Sequence, residues 1–320
     1  MQTAVGTDLQ LALDLLERGQ LVSIPTETVY GLAADANNED AILSIFKAKE
    51  RPTSNPLILH FANLEQALPY TTHFPPIFEA LYAHFCPGPL TFVVPKSSLV
   101  SDLITGGQST VALRFPAHPL LQQLLHKLER PLAAPSANLY GQLSPTTAQH
   151  VLGQLNQRIP YILDGGPCLH GLESTIIGLQ NEQVVIYRHG GITTEMLADK
   201  LGYTPPIKTQ EESGILTSGM VKHHYATQTP LFLGYKSDDK EKSALQITLG
   251  PKALIKGPHL VLSQQNTLLE AARNLYATLH EADTMGMQEI YVEPFPNVGL
   301  GKAMNDRLAR AAAKFSDLDK

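Results

Sequence analysis

Short apolar runs alternate with amphipathic segments through the first two hundred residues. The runs Leu21 to Ile24, Leu57 to Phe61, Leu90 to Val94 and Val184 to Arg188 read as strands. In the second of these, Leu57, Leu59 and Phe61 share one face, and Ile58 and His60 the other. In Ser109 to Phe115 the apolar Val111, Leu113 and Phe115 alternate with Thr110, Ala112 and Arg114, which puts Thr110 and Arg114 on one face. Helices are predicted between these runs. One starts at the capping-box text Thr7-Asp8-Leu9-Gln10 and stops at Gly19. A second is capped by Asn37, carries Glu39 and Asp40 in its first turn, and must leave helical geometry at Arg51, ahead of Pro52. Others cover Pro75 to Phe85, Pro119 to Arg130, a short stretch after Ser144-Pro145-Thr146, and Thr194 to Leu201. Strand-and-turn units fall at Ile162 to Gly166 and Glu173 to Ile177. This rhythm predicts a mixed α/β domain.

From about Gly202 to Pro230 the pattern dissolves into Pro, Gly, Ser, Thr and Gln, which reads as a linker around Ser218 to Ala226. Alternation then resumes. Strands are expected at Leu231 to Leu233, His259 to Leu262 and Glu289 to Val292, with helices at Leu268 to Ala282 and Ala303 to Phe315. Met304, Leu308, Ala311 and Phe315 form the apolar face of the last helix. The chain therefore divides at the sequence level into residues 1–205, a linker at 206–230, and a small, largely parallel α/β domain at 231–320.

A 320-residue chain that is 43% hydrophobic and 17% charged can bury a sizeable core. Its 24 Lys and Arg against 30 Asp and Glu give a net charge of -6, which argues against a protein held mainly to a nucleic-acid backbone. The two cysteines, Cys86 and Cys168, form no CxxC pair, so neither a zinc ribbon nor a disulfide scaffold is expected, and a reducing cytoplasm is. No leader or membrane-spanning run is legible. There is no GxxxxGK[ST], HExxH or GxSxG motif. Gly299-Leu300-Gly301-Lys302 reads as a plain turn and helix start rather than a phosphate loop, and His223-His224 is spaced too closely for a metal pair.

What remains is a set of polar residues at strand ends and turns: Thr28, Lys49, Arg51, Asn55, His60, Thr110, Arg114, Ser136, Asn138, Ser144, Ser174 and Arg188. Singly, each has a plainer reading as a turn hydroxyl, a solvated charge at a helix end, or a core histidine. Together they offer cations, hydroxyls and amides but few carboxylates. That inventory suits an anion, such as a triphosphate or an amino-acid carboxylate, and not paired-carboxylate chemistry.

Six strings in order carry a resemblance: PTETVYGL, KAKERPTSNPLI-x-H, CPGPLTFVV, STVALRFPAHP, AAPSAN-x-x-G-x-x-SPT and GLESTII. They resemble the YrdC-like threonylcarbamoyl-AMP synthases. The linker and the late Gly-Leu-Gly-Lys-Ala-Met-Asn-Asp-Arg-Leu are similar to the longer, two-domain form. The resemblance implies a YrdC-like domain with a twisted mixed sheet and helices around a concave site, followed by a small Rossmann-like domain. It also implies a nucleotidyl transfer in which L-threonine, bicarbonate and ATP give threonylcarbamoyl-adenylate and pyrophosphate. The product would pass to a separate tRNA threonylcarbamoyl transferase, for modification next to the anticodon, with little or no direct tRNA binding.

By motif match the family tetrad falls on Lys49, Arg51, Ser136 and Asn138. Thr28, His60, Arg114 and Ser174 would hold threonine. Arg51, Asn55, Thr110, Ser136, Ser144, Arg188 and the linker's Tyr225 would hold ATP, with Mg2+ on its phosphates and no protein ligand to the metal. The chain departs from the family pattern at Gly178, where Asp is usual, and at His189, where Pro is usual. It departs again at Ser218, Val221, Lys222 and Thr227 of the linker. Two other readings compete: an RNA-binding or ribosome-maturation module of the same fold, opposed by the negative charge, and a carbamoyl-transferring maturation enzyme, opposed by the absence of zinc-finger cysteines.

Overall fold

The computed structural model describes residues 2–214, 217, 225–235, 243–252, 255 and 257–316. Among them, ten strands form one mixed sheet: β1 Ala4–Gly6, β2 Val22–Ile24, β3 Gly31–Asp35, β4 Ile58–His60, β5 Leu90–Pro95, β6 Thr110–Arg114, β7 Leu132–Ala133, β8 Tyr161–Leu163, β9 Thr175–Gln180 and β10 Gln183–Arg188. Their order is β1-β8-β2-β3-β7-β4-β6-β5-β9-β10. The strands β4 and β6 run parallel, as do β5 and β9, whereas β5 and β6 are antiparallel. A second sheet holds β11 Leu231–Leu233, β12 Ala244–Thr248, β13 His259–Val261 and β14 Glu289–Val292 in the order β11-β14-β12-β13, with every pairing parallel. No helix among the described residues is long and apolar enough to cross a membrane.

The predicted two-faced strand is present. Leu57, Leu59 and Phe61 join the main core with Phe92, Leu113 and Phe115, beneath the helices Glu39–Lys49 and Pro76–Phe85. Ile58 lies on the opposite face with Val93, Ile176, Val185 and Tyr187, in a small separate cluster. That second face is the floor on which the polar side chains of β4 and β6 stand.

Several expectations need correction. The first helix, Leu9–Glu17, is capped by Asp8, whose carboxylate accepts from Leu11 N, and not by Thr7. The next helix is capped by Asn38 rather than Asn37, since only that amide oxygen reaches the Ala41 N–H three residues on. The strands β1, β3 and β12 have no counterpart in the sequence reading. Gly31–Asp35 is buried at every position, so it shows no alternation to read. The last helix begins at Leu300, one turn before the expected start, and its Met304, Leu308, Ala311 and Phe315 are all buried as the periodicity requires. Residues 206–208 of the expected linker run beside β10, where Ile186 N donates to Pro206 O and Lys208 N to Ile186 O. Ser218, Val221, Lys222, His223 and His224 lie outside the described residues.

The two sheets meet across an interface that includes a histidine pair. His150, from the helix Ala148–Leu155, stacks on His280 of the helix Leu268–Thr284, with ring centroids 4.0 Å apart. Burial, with His280 beside it, pushes His150 down to about 4. A histidine whose folded value lies below its unfolded value binds fewer protons when folded. Its contribution to stability is complete above about pH 6.5 and is lost as pH falls towards 4. Allowing for partial solvent contact, about 2 kcal/mol is at stake. Thermal melting across that range should show a stability loss that His150→Gln flattens. A variant slope equal to the wild type would refute it.

Candidate active site

The site begins where the helix Glu39–Lys49 ends. Glu50 takes the left-handed conformation at φ 56°, while its N–H bonds Lys47 O and the Arg51 N–H bonds Phe46 O. This closing pair reverses the chain without a glycine, at a cost of about 1 kcal/mol for the unfavourable φ. It turns Lys49 and Arg51, on either side of Glu50, into the protein. Lys49 is only 1% exposed, so it is no solvated helix end. Its amine donates to Ser136 O at 2.6 Å and to Asn138 O. Arg51 Nη2 donates to Asn55 Oδ1 at 2.8 Å and to Pro56 O at 2.9 Å, and the guanidinium lies 5.7 Å from the Tyr140 ring.

Among the described residues neither cation has an acidic partner. Burial, with Arg51 alongside, drives the Lys49 amine well below its usual range. Burial also pulls Arg51 down to about 10. Two desolvated like charges with only neutral partners make a strong demand for an anion.

The Ser136–Asn138 loop is held by the start of β3 and the residue before it. Ala137 N donates to Tyr30 O, and Leu32 N to Pro135 O. Asn138 is fully buried, and its amide nitrogen donates to Leu139 O and Gln142 O. Its Oδ1 has no hydrogen-bond partner among the described residues.

A second cluster stands at the ends of β4 and β6, where register pairs His60 with Arg114, and Arg114 with Thr91. Arg114 Nη2 donates to Thr28 Oγ1 at 2.6 Å and to Glu27 Oε1 at 2.8 Å. Its buried Nε has no partner among the described residues. Burial, with Arg114 alongside, pushes His60 down to about 3, so its ring is neutral at physiological pH. The hydroxyls of Thr91 and Ser174 lie 2.7 Å apart. Arg188 then donates through Nε and Nη2 to Ser174 O, at 3.1 and 2.8 Å. Thr28, His60, Arg114, Ser174 and Arg188 are thus one connected group.

Thr110 stands apart. It begins the strand that Arg114 ends, about 13 Å away at strand rise, in a narrow groove with Pro56, Ile58, Ala112 and Thr217. That places it beside the Arg51–Pro56 turn.

Ser144 Oγ donates to Glu173 Oε1 at 2.7 Å, within a buried network that includes Tyr276 and Arg307 of the second domain. Tyr225, 1% exposed, has its ring 5.0 Å from the Arg307 guanidinium and 5.9 Å from Tyr276.

Sequence reasoning missed Glu27, Glu173, Tyr276 and Arg307. The expectation of few carboxylates holds only for unpaired ones, because Glu27 and Glu173 are each neutralised by a buried arginine. Burial alone would raise the Glu173 carboxyl, but Arg307 and Arg188 outweigh it and hold it at about 2. Both glutamates stand inside strings already singled out, PTETVYGL and GLESTII, which was the available signal. Gly299-Leu300-Gly301-Lys302 is a helix start as expected, and its charge is taken by Glu195, 2.7 Å from Lys302 Nζ.

Two departures from the family pattern find their reasons here. A Cβ at Gly178 would lie 2.3 Å from the buried Tyr187 ring, so the bulkier residue usual there does not fit beneath it. His189 contributes its carbonyl oxygen, which accepts from Arg307 Nη2 at 2.7 Å and which a proline would also possess.

Fold and site together define a two-domain α/β protein with a cluster of buried cationic side chains. A family model described as Telomere recombination (Sua5_yciO_yrdC) matches residues 14–190, and one described as Threonylcarbamoyl-AMP synthase, C-terminal domain, matches residues 192–313. The chain is 37% identical over 318 residues to the threonylcarbamoyl-AMP synthase of Pyrococcus abyssi, covering 95% of this chain and 94% of that one. Against the Bacillus subtilis synthase the identity is 38%, over 94% and 92% of the two chains. The crystal structure of P. abyssi Sua5 complexed with L-threonine matches with a TM-score of 0.87 at 36% identity, covering 95% of this chain and 94% of that one. The chain belongs to the threonylcarbamoyl-AMP synthase family, as the six strings implied.

Proposed function

We propose that this protein is a nucleotidyl-transferring synthase that joins L-threonine, bicarbonate and ATP into threonylcarbamoyl-adenylate, releasing pyrophosphate and water. The observation that carries this reading is the pair Lys49 and Arg51, buried cations whose partners among the described residues are all neutral. A polyphosphate supplies the missing negative charge. Ser136, Asn138, Asn55, Thr110, Ser144 and Arg188 would line the nucleotide, with Tyr225 over it. Thr28, His60, Arg114 and Ser174 would hold threonine, and the spare Arg114 Nε is a donor suited to its carboxylate.

The threonine amine takes up bicarbonate to become a carbamate, with loss of water. A carbamate oxygen then attacks the α-phosphorus, the bond to the β-phosphate oxygen breaks, and pyrophosphate leaves. No protein nucleophile is needed. Lys49 and Arg51 act by position and by meeting the charge that develops on the α-phosphoryl group. His60, held neutral, adds a polar wall without competing for the carboxylate.

Glu27 and Glu173 are committed to arginines, and no cluster of three metal-binding side chains occurs among the described residues. Mg2+ would therefore be held by the ATP phosphates, whose charge it offsets. The adenylate would pass to a tRNA threonylcarbamoyl transferase. We place the reaction in the cytoplasm, where free thiols such as Cys86 and Cys168 persist.

The test is pyrophosphate release from MgATP and bicarbonate with each amino acid in turn. Release is expected with threonine and at most at background with serine or valine. Well-folded protein that releases none with threonine would overturn the reading.

A further inference from the structure

Arg307 lies in the helix Leu300–Ser316 of the second domain, within the late string that the reaction leaves unexplained. It is 1% exposed and among the largest fully buried side chains of the described chain. A guanidinium this deep is costly unless its donors are met. They are: Nε donates to Glu173 Oε2 at 2.9 Å, Nη2 to His189 O at 2.7 Å, and Nη1 to Asp306 Oδ2 at 2.5 Å. Its face covers the Tyr225 ring at 5.0 Å.

These contacts fall on the supports of the nucleotide residues. Glu173 is the acceptor for Ser144 Oγ and also for Tyr276 OH, at 3.0 and 3.2 Å. His189 follows Arg188 directly, and Glu173 precedes Ser174, the residue whose carbonyl receives Arg188. One side chain of the second domain therefore holds both the carboxylate that fixes Ser144 and the backbone that presents Arg188. Arg307 also neutralises Glu173. Without it, that buried carboxylate would have Arg188 as its neighbouring cation and would draw it away from a phosphate.

We propose that Arg307 is a positioning residue for the nucleotide, setting Ser144, Arg188 and Tyr225 through Glu173 and the His189 carbonyl. This rests on the assignment of those three residues to ATP. A contact that merely docked the two domains would loosen the ATP and threonine sites alike.

The test uses the full chain. Arg307→Met keeps the stem and removes the charge, Arg307→Lys keeps the charge and loses the planar fork, and Tyr276→Phe removes one hydrogen bond to Glu173. For Arg307→Met the KM for ATP should rise ~10-fold or more while the KM for threonine stays within ~2-fold, with Arg307→Lys recovering part of the loss. Tyr276→Phe should raise the KM for ATP ~3-fold, and it keeps the test open if Arg307→Met fails to fold. Titration with a fluorescent ATP analogue reads the same losses without turnover. Equal changes for ATP and threonine, or unchanged analogue affinity in the folded variants, would overturn the positioning role. A wild type that binds the analogue but never turns over would defeat the synthase reading alone, and the analogue affinities would still decide the role of Arg307. A wild type that binds no nucleotide would defeat both.

Discussion

Lys49→Met is expected to cut threonine-dependent pyrophosphate release by ~10³-fold or more, since a preorganised donor aimed at developing charge is worth that much in a water-poor site. The same change should leave the fold intact. Lys49 is a buried charge whose ionised form the folded state penalises, so its loss relieves a desolvation cost. Against that relief, Ser136 O and Asn138 O lose their donor, at about 1–3 kcal/mol each. The two effects nearly offset, and the melting temperature should move by no more than about 5 °C. Steady-state assay beside a thermal melt checks both halves. An active variant would place the phosphate elsewhere, and an unfolded one would make Lys49 a structural residue.

Gly190→Ala should be damaging in the opposite manner, through the backbone. A Cβ there would meet Glu173 O at 2.3 Å and both Ser174 C and Thr175 N at 2.4 Å. These are main-chain atoms at the start of β9, in a sheet that cannot give locally. Overpacking of this kind costs about 3 kcal/mol, the upper end for an inserted methyl group, and moves Glu173 and Ser174 outward. A displacement of about 1 Å in positioning groups is enough for ~10²-fold in rate. Turnover should fall by that factor together with the melting temperature. Retention of both would mean that the loop after β10 can retreat from the strand.

Where a residue's environment is set by its near neighbours, the sequence was legible. The alternation of Leu57–Phe61 and of Val111–Phe115 assigned both faces correctly, as did the helical spacing of Met304, Leu308, Ala311 and Phe315. The gathering of Thr28, His60, Arg114 and Ser174 came from matching family strings and could not have come from spacing alone. What escaped depends on distant partners. Gly31–Asp35 is buried on both faces and so lacks a period. Glu27 finds Arg114 across 87 residues, and Glu173 finds Arg307 across 134. A lone glutamate in a turn carries no mark of the arginine that will neutralise it. Cap positions slipped by one for a smaller reason: Thr7 and Asp8, like Asn37 and Asn38, are adjacent residues with equal capping chemistry, and backbone geometry alone chooses between them.

The bond from Arg307 to the His189 carbonyl spans 118 residues of chain. Domains generally fold as units while the ribosome is still adding residues, the N-terminal one first. The domain carrying Lys49, Arg51 and Arg114 can therefore form well before Arg307 has been translated. During that interval Glu173 lacks the cation that later neutralises it, and Tyr225 has no guanidinium to lie against. A nascent or prematurely terminated chain would thus carry most of the pocket yet hold nucleotide poorly. Full affinity for the nucleotide would arrive only with the last helix, a built-in delay between folding and activity.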